Sequence, residues 1–408
     1  MNNFPKLEIL VCHNNKLTSL QVNGLQDLLK LDCQYNQLST LEIDGVNNLS
    51  SLNCGHNDLT ELNVEKLKNL SILSCEVNQL SSLNVKNLRN LWGLKCSENN
   101  LSQLDVDSLI YLKQLYCNFN QLTILNVDKL TQLERLSCGG NKIKYLSLSE
   151  LKKLEVLYCY SNQLTFLKLE NLINLQSLDC SGNFLRELNV QLLVTLKELR
   201  CRNNQLTRLG INNLKNLNTL MCGENQLTEL DVNRLLNLTE LYCENNKITT
   251  LHIENLKMLK TAYFYGNQID SVHLDGLLLL EALDISKNRF KKLELGILPN
   301  LVYLNCSENQ LANLSVDHLT SLNNLICSKN KITMLNVNNL IYLTTLDCSL
   351  NRLSSLKIKT TNTFESLDFN GNSKLNYICC NRNEIDFVVD KAVEYELNSC
   401  RVNYDCTN

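Results

Sequence analysis

The chain has 408 residues, with 39 lysines and arginines against 42 aspartates and glutamates, which gives a net charge of −3. No lysine- or arginine-rich run occurs, so nucleic-acid binding and anionic-membrane binding are not supported. No stretch reaches the roughly 18 unbroken apolar residues that a membrane-spanning helix requires.

A repeat of 21 residues runs from the N-terminus to about residue 374. Its pattern is L-x-x-L-x-C-x-x-N-x-L-x-x-L-x-V-x-x-L-x-x, which begins at Leu7 and recurs to Phe364 in 18 units. The chain starts inside an earlier repeat, with Met1 at the valine position and Phe4 at the last leucine position. Because a single repeat cannot cover its own apolar residues, a fixed period of this length predicts a solenoid with a continuous core.

Each repeat is predicted to contribute one short strand to a parallel sheet. The alternation in Leu31-x-Cys33 directs both side chains to the interior. The second half of the repeat alternates in the same way at Leu41-x-Ile43, so we expect short extended segments, not helices, on the opposite side. Strands on both sides predict a mainly β, right-handed solenoid with slight curvature and a concave sheet.

Most cysteines occupy one position of the repeat, three residues before an asparagine. The same position holds Phe264, Ile285 and Phe369 in three repeats, so it requires apolar volume and not sulfur. One thiol per repeat does not give the four converging thiolates of a structural metal site. We therefore interpret these cysteines as packing residues. The asparagines, from Asn15 to Asn372, are expected to bond to unpaired backbone groups and to one another.

Residues 375–408 are predicted to form a C-terminal cap, because the period fails at Lys374. A helix is expected after Asn383, a candidate N-cap, followed by a strand through Val402. The apolar face of that helix would comprise Ile385, Val388, Val389, Ala392, Val393 and Leu397. Four cysteines lie off the period in this segment: Cys379, Cys380, Cys400 and Cys406. We expect one disulfide among them, but four cysteines permit three pairings.

The repeat pattern resembles that of bacterial leucine-rich-repeat proteins, and in particular their nested 21-residue (IRREKO-like) class. The resemblance covers residues 1–374 and implies a non-catalytic binding module. The C-terminal segment resembles the end cap of secreted Bacteroidetes (flavobacterial) leucine-rich-repeat surface proteins. That second resemblance implies that Cys379, Cys400 and Cys406 are shared with the family, whereas Cys380 is additional.

The concave sheet is the candidate binding surface, because the positions between the buried residues face outward. Aromatic side chains and arginines accumulate there, and these residue types are enriched at binding hot spots. The candidate partner-binding residues are Trp92, Tyr116, Phe119, Arg135, Tyr158, Tyr160, Arg200, Arg202, Tyr242, Tyr263, Tyr265 and Tyr303. Tyrosine is also a good strand residue, so part of this clustering could serve sheet stability alone.

Two weaker groups remain. His252 and His273 occupy equivalent positions of adjacent repeats, near Glu254 and Asp275, and could hold a transition metal. A surface coincidence explains the same pattern. On the concave sheet, Asp347 and Asp368 are neighbours of like charge, which a cation or a basic partner would relieve.

The sequence therefore predicts a monomeric recognition module, outside the cell or on a bacterial cell surface, that binds a protein or glycan and carries no cofactor. We expect no enzymatic activity, because no histidine has a nucleophile at a defensible spacing and no glycine-rich phosphate loop occurs. The alternative is the substrate-recognition part of an intracellular effector whose catalytic domain lies outside this chain.

Overall fold

The computed structural model describes residues 6–360 and 363–406, so Met1 and Phe4 lie outside the described residues. The chain divides into two compact units, Met1–Gln205 and Leu206–Asn408, here called the N-terminal and C-terminal units. Each unit is a parallel β-solenoid, as the period predicts.

In the N-terminal unit, the first half of each repeat supplies one strand to the main sheet. Neighbouring strands are parallel and pair with a constant offset of one repeat, so that Leu31 lies opposite Leu52. The strands are Ile9–Val11, Lys30–Asp32, Ser51–Asn53, Ile72–Ser74, Gly93–Lys95, Gln114–Tyr116, Arg135–Ser137, Val156–Tyr158, Ser177–Asp179 and Glu198–Arg200.

The C-terminal unit has a main sheet of the same construction. Asp347 lies opposite Asp368, as expected for neighbouring repeats. The strands are Thr219–Met221, Glu240–Tyr242, Thr261–Tyr263, Ala282–Asp284, Tyr303–Asn305, Asn324–Ile326, Thr345–Asp347 and Ser366–Asp368.

The second half of the repeat forms hydrogen-bonded strands in only some repeats. They are Ser19–Gln21 and Thr40–Glu42 in the N-terminal unit, and Met334–Asn336 and Ser355–Lys357 in the C-terminal unit, where two strands of the cap, Tyr377–Cys379 and Arg401–Asn403, extend the same small sheet. In the other repeats the alternation still buries the apolar side chains, as at Leu62 and Val64, without a strand. The expectation of extended segments is therefore confirmed as strand in these four repeat segments only.

The cysteine position is a core position. Cys33, Cys138 and Cys306 have no exposed surface, and neither has Phe264, which replaces cysteine in its own repeat. Burial raises the pKa of each of these three thiols to about 12, because an apolar interior disfavours the thiolate. These cysteines are packing groups.

The asparagine column satisfies backbone groups of two repeats at once. The amide nitrogen of Asn57 donates to the carbonyl oxygens of Cys54 and Gly55 in its own repeat, and to that of Cys33 in the preceding repeat, each at 3.1 Å. Its amide oxygen accepts the N–H of Leu38 at 3.0 Å. The partners are backbone groups that the end of the strand leaves without ladder bonds.

The residue before each asparagine has a positive φ in every repeat. In four repeats it is a glycine, for example Gly182 with a φ of 65°. In the others the same conformation is imposed on residue types that rarely adopt it, such as Val77 at 53° and Phe119 at 51°. Its backbone N–H donates to the next repeat, as from Val77 to the carbonyl of Ser97 at 2.9 Å. Inter-repeat bonding, not the side chain, thus sets this conformation.

The cap contains a 3₁₀ turn, Arg382–Glu384, and a helix, Ile385–Glu394. The prediction that Asn383 is the N-cap is wrong, because Asn383 lies within the 3₁₀ turn. Asn381 precedes that turn, and its amide donates to Glu384 Oε2 at 3.0 Å.

The predicted apolar face of the helix is only partly correct. Val388 and Ala392 are buried, whereas Val389 and Val393 are 38% and 61% exposed. Leu397 lies beyond the helix, since Glu396 has a φ of 59° and the N–H of Leu397 donates to Ala392 O, which ends the helix.

The cap packs against the last repeat and is closed internally by a disulfide. Tyr395 packs against Phe369, with ring centroids 5.1 Å apart. The disulfide links Cys379 to Cys406, across a sequence separation of 27, with a Cα–Cα distance of 5.3 Å. The strand Arg401–Asn403 pairs with Tyr377–Cys379, so the predicted strand through Val402 is confirmed.

Candidate functional site

The main sheet presents its outward side chains at fixed places. In each repeat the first and third strand residues and the second residue after the strand point away from the core, as Gln114, Tyr116 and Asn118 illustrate. Because the strands pair without slippage, the same three positions line up from repeat to repeat within a unit.

In the N-terminal unit, two candidate aromatic rings lie over a pair of glycines. The ring centroids of Phe119 and Tyr160 are 6.0 Å apart, and these residues belong to the repeats on either side of Gly139 and Gly140. A Cβ atom would lie 2.6 Å from the Tyr160 ring at position 139 and 2.4 Å from the Phe119 ring at position 140. The glycines thus allow both rings to approach the backbone closely, although Phe119 remains 51% exposed.

A hydrogen-bonded network holds two further candidates in place. Ser177 Oγ lies 3.3 Å from Tyr158 Oη and 3.2 Å from Glu198 Oε2. The same Glu198 oxygen accepts from Arg200 Nη1 at 3.0 Å. Tyr158 and Arg200 therefore occupy defined positions on a partly exposed surface. The sequence alone did not reveal this network, because Ser177 and Glu198 carry no distinguishing motif.

The other candidates of this unit lie on the same sheet without forming one cluster. Lys95 Nζ lies 6.0 Å from the centroid of the Tyr116 ring. Trp92, which is 39% exposed, precedes its strand, and Arg135 is exposed at the first position of its strand. Arg202, the second residue after its strand, is partly buried.

The C-terminal unit brings three candidate tyrosines together. The centroids of Tyr242 and Tyr263 are 5.3 Å apart with the rings nearly perpendicular, and those of Tyr263 and Tyr303 are 6.2 Å apart. Tyr265 is the fourth candidate of this unit. It follows Phe264, which occupies the cysteine position of its repeat, and it is half-buried. The three-ring group is here called the tyrosine cluster.

A buried carboxylate adjoins the tyrosine cluster. Asp284 is 8% exposed and is the register partner of Tyr263. Burial raises the pKa of Tyr263 and of Tyr303, and the negative charge of Asp284 raises each further. Both phenols are therefore protonated at neutral pH. The repeat pattern puts Asp284 at an outward strand position but does not indicate its burial.

The histidine group does not form a metal centre in the structure. His252 Nδ1 lies 3.7 Å from Glu254 Oε1, on an exposed surface. In residues 6–360 and 363–406, no three histidine, cysteine, aspartate or glutamate side chains converge to hold a metal ion. The hypothesis of a site formed by His252, His273, Glu254 and Asp275 is therefore not supported.

Two exposed aromatic groups were not among the sequence-based candidates. Tyr145 and Phe166 are 54% and 39% exposed, with ring centroids 5.4 Å apart, and both lie in the second half of their repeats. Tyr35 and His56 stack at 4.1 Å on the positive-φ positions of adjacent repeats. In each pair the two residues are one repeat apart in the sequence, and this spacing was the signal that could have identified both pairs.

Comparison with known proteins is consistent with this architecture. Residues 131–171 match the family "Leucine Rich repeats (2 copies)", and residues 237–259 match "Leucine Rich Repeat". No curated protein matches the sequence significantly. No helix among the described residues is long and apolar enough to cross a membrane.

Several solved structures are similar to the chain. The functional domain of InlJ from Listeria monocytogenes, which includes a cysteine ladder, is 30% identical, with a TM-score of 0.71 over 87% of this chain and 75% of that one. A leucine-rich-repeat protein of Leptospira interrogans is 24% identical, with a TM-score of 0.62 over 98% and 97%. The plant peptide hormone receptor RGFR1, in complex with RGF2, is 22% identical, with a TM-score of 0.76 over 99% and 75%.

The last two similarities concern the fold alone, whereas the match to InlJ also covers most of both chains at higher identity. Together with the 21-residue repeat, its parallel sheet and the two family matches, this match identifies the chain as a member of the leucine-rich-repeat proteins.

Proposed function

We propose that this protein is a non-catalytic recognition module that binds a protein or glycan partner on the outward face of its main sheet. The observation that carries the proposal is the network of Tyr158, Ser177, Glu198 and Arg200. It holds an aromatic ring and a guanidinium in fixed positions on a partly exposed surface. Such side chains bind with little further loss of conformational entropy.

The disulfide supports a location outside the cell or on the cell surface. Disulfides persist in oxidising compartments and are rare in the cytosol, and Cys379–Cys406 lies in a small element that has little core of its own. We also propose, on the resemblance of repeat and cap, that the protein belongs to the nested 21-residue class found in secreted Bacteroidetes proteins. On this proposal it acts as a monomer, without a cofactor, membrane insertion or a nucleic-acid partner.

The test is to remove rings from the sheet and to measure binding. The variant Tyr116→Ala/Tyr158→Ala/Tyr242→Ala should lose binding to partners identified on a glycan array and an array of extracellular proteins, because each residue lies at an outward strand position. Its thermal midpoint should stay within a few degrees of the wild type. A matched control, Tyr145→Ala/Phe166→Ala, removes exposed rings from the second half of the repeat and should bind normally. A large drop in the thermal midpoint of the triple variant would instead show that these rings stabilise the fold by packing.

The alternative, the substrate-recognition part of an intracellular effector whose catalytic domain lies outside this chain, predicts a different state of the cap. Mass spectrometry of protein purified from its native compartment without reductant should show the Cys379–Cys406 bridge, with Cys380 and Cys400 as thiols. Four free thiols would favour the intracellular alternative.

A further inference from the structure

The main sheet of the C-terminal unit carries charge of a single sign at its outward positions. These positions hold no lysine, arginine or histidine, while they hold five carboxylates: Glu240, Glu244, Asp284, Asp347 and Asp368, of which Glu244 and Asp284 are buried. The equivalent positions of the N-terminal unit are mixed in sign. There, Asp32, Glu76, Asp179 and Glu198 are accompanied by Lys30, Lys95, Arg135, Arg200 and Arg202.

The charge of Asp284 is held by neutral donors. Its Oδ1 accepts from the backbone N–H and the hydroxyl of Ser286 at 2.9 and 2.7 Å, and its Oδ2 accepts from the Asn305 amide at 3.0 Å. None of these donors carries positive charge, and no ion pair of Asp284 occurs among the described residues. A carboxylate that is 8% exposed is normally paired with a cation, because burial in an apolar surrounding disfavours an uncompensated charge.

The tyrosine cluster lies directly beside this carboxylate. Tyr263 is the register partner of Asp284 on one side, and Tyr303 lies on the strand that pairs with that of Asp284 on the other. The centroids of the two rings are 6.2 Å apart across the intervening strand, whose first outward residue is the small Ala282. Aromatic faces next to a carboxylate attract lysine and arginine side chains through both the ring quadrupole and the charge.

We infer that the outward face of the C-terminal unit binds an extended basic segment of a protein partner, and that the tyrosine cluster and Asp284 receive one of its arginine or lysine side chains. Asp347 and Asp368 lie on neighbouring strands of the same face and provide a second contact for positive charge. This inference rests on the proposed function for the use of the sheet face, and it adds the chemical class of the partner.

The decisive variant is Asp284→Asn, because it removes charge with almost no change of shape. The neighbouring repeat shows that asparagine fits the turn: Asn305 Oδ1 accepts from Ser307 N–H and hydroxyl at 3.1 and 2.7 Å, as Asp284 does from Ser286. The variant loses the bond from the Asn305 amide to Oδ2. The matched control is Asp179→Asn in the N-terminal unit, where Asp179 occupies the same strand position and accepts the N–H of Ser181 at 3.0 Å.

Binding would be measured by fluorescence anisotropy of a labelled peptide that alternates arginine and serine, with the full chain at 0.15 M salt. We expect Asp284→Asn and Tyr263→Ala each to weaken binding about tenfold, and Asp179→Asn to change it less than about twofold, since Asp179 is more exposed than Asp284 and its charge is better screened at this salt concentration. A peptide with glutamate in place of arginine should not bind.

Equal affinities of the Asp284→Asn and Asp179→Asn variants would overturn the inference, as would equal binding of the arginine and glutamate peptides. Absence of peptide binding by a chain that still binds a partner through Tyr116 and Tyr158 would also overturn it, while leaving the proposed function intact. Conversely, tenfold weakening by Asp284→Asn would support the inference even if the triple tyrosine variant kept its array partners.

Discussion

Each residue that precedes an asparagine of the column has a positive φ, whatever its side chain. Only four of these positions are glycine, so most repeats hold an L-residue in a conformation that costs about 1–2 kcal/mol. The cost is offset by hydrogen bonds between repeats, which the backbone N–H of the positive-φ residue and the amide of the following asparagine make. Valine at position 77 is the least suitable of these residues, because its β-branch restricts the side chain further.

Val77→Asn should therefore raise the free energy of unfolding by about 1 kcal/mol, since asparagine tolerates positive φ without the entropy cost of glycine. Asn203, with a φ of 50°, shows that asparagine occurs at this position in the same unit. Urea unfolding followed by circular dichroism would measure the change. The reverse substitution, Asn203→Val, should lower stability by a similar amount. A destabilised Val77→Asn protein would show that the valine side chain contributes more through packing than its backbone costs.

At the scale of the repeat element, the cysteine column makes stability depend on alkaline pH. The ordinary pKa of a cysteine thiol is 9.0, and burial raises that of Cys138 to about 12. Below pH 9 the thiol is protonated in both the folded and unfolded chains, so it causes no pH dependence. Above pH 9 the unfolded chain loses protons that the folded chain keeps, and stability falls as pH rises towards 12.

Each buried thiol should then remove about 1.4 kcal/mol of stability per pH unit above pH 9. Urea unfolding at pH 7.5, 9 and 10 would measure the slope. The variant Cys138→Val should unfold with a shallower dependence between pH 9 and 10, because it has one thiol fewer, and Ile285 shows that a β-branched apolar residue can occupy this column. Identical slopes for variant and wild type would indicate that solvent reaches the column.

The sequence predicted the elements that depend on period and polarity, and it did not predict those that depend on contacts between repeats. Leu31 and Cys33 were predictable as inward residues because alternation alone assigns them. The positive φ of Val77 was not, since valine opposes it and bonding to the next repeat imposes it. Exposure of Val389 and Val393 was not predictable, because helical spacing does not indicate how wide a face of the helix the fold covers.

The candidate site divides in the same way. Outward placement of Tyr158, Arg200 and Tyr263 followed from the repeat pattern. Their partners did not, because hydrogen bonds such as Ser177 to Tyr158 depend on side-chain rotamers. The pairing of Cys379 with Cys406 required the fold of the cap, since spacing left three pairings open.

For the whole molecule, the constant offset between neighbouring repeats predicts that a complete repeat can be removed. Deletion of residues 38–58 joins Gln37 to Leu59 and removes one period of 21 residues from the N-terminal unit. Asn78 would then make the bonds to the Cys33 carbonyl that Asn57 now makes. We expect a folded, monomeric protein with unchanged circular dichroism per residue and a modestly lower unfolding midpoint.

Deletion of residues 38–47 is the control, since it removes a fraction of a repeat and places Asn48 at a leucine position. That protein should be cleaved rapidly by protease within the N-terminal unit. Equal protease sensitivity of the two deletions would show that the repeats are not interchangeable in their bonding.

The bonds that recur in every repeat, those of the strand ladder and of the asparagine column, do not use the outward side chains, and this separation has a consequence for inheritance. An unequal exchange between two copies of the gene would lengthen or shorten the protein by whole periods, while every cysteine and asparagine kept an equivalent neighbour. The order of surface residues would change at the junction, and the interior would not. Such a protein can therefore acquire new surfaces through recombination, without the compensating core substitutions that other folds would need.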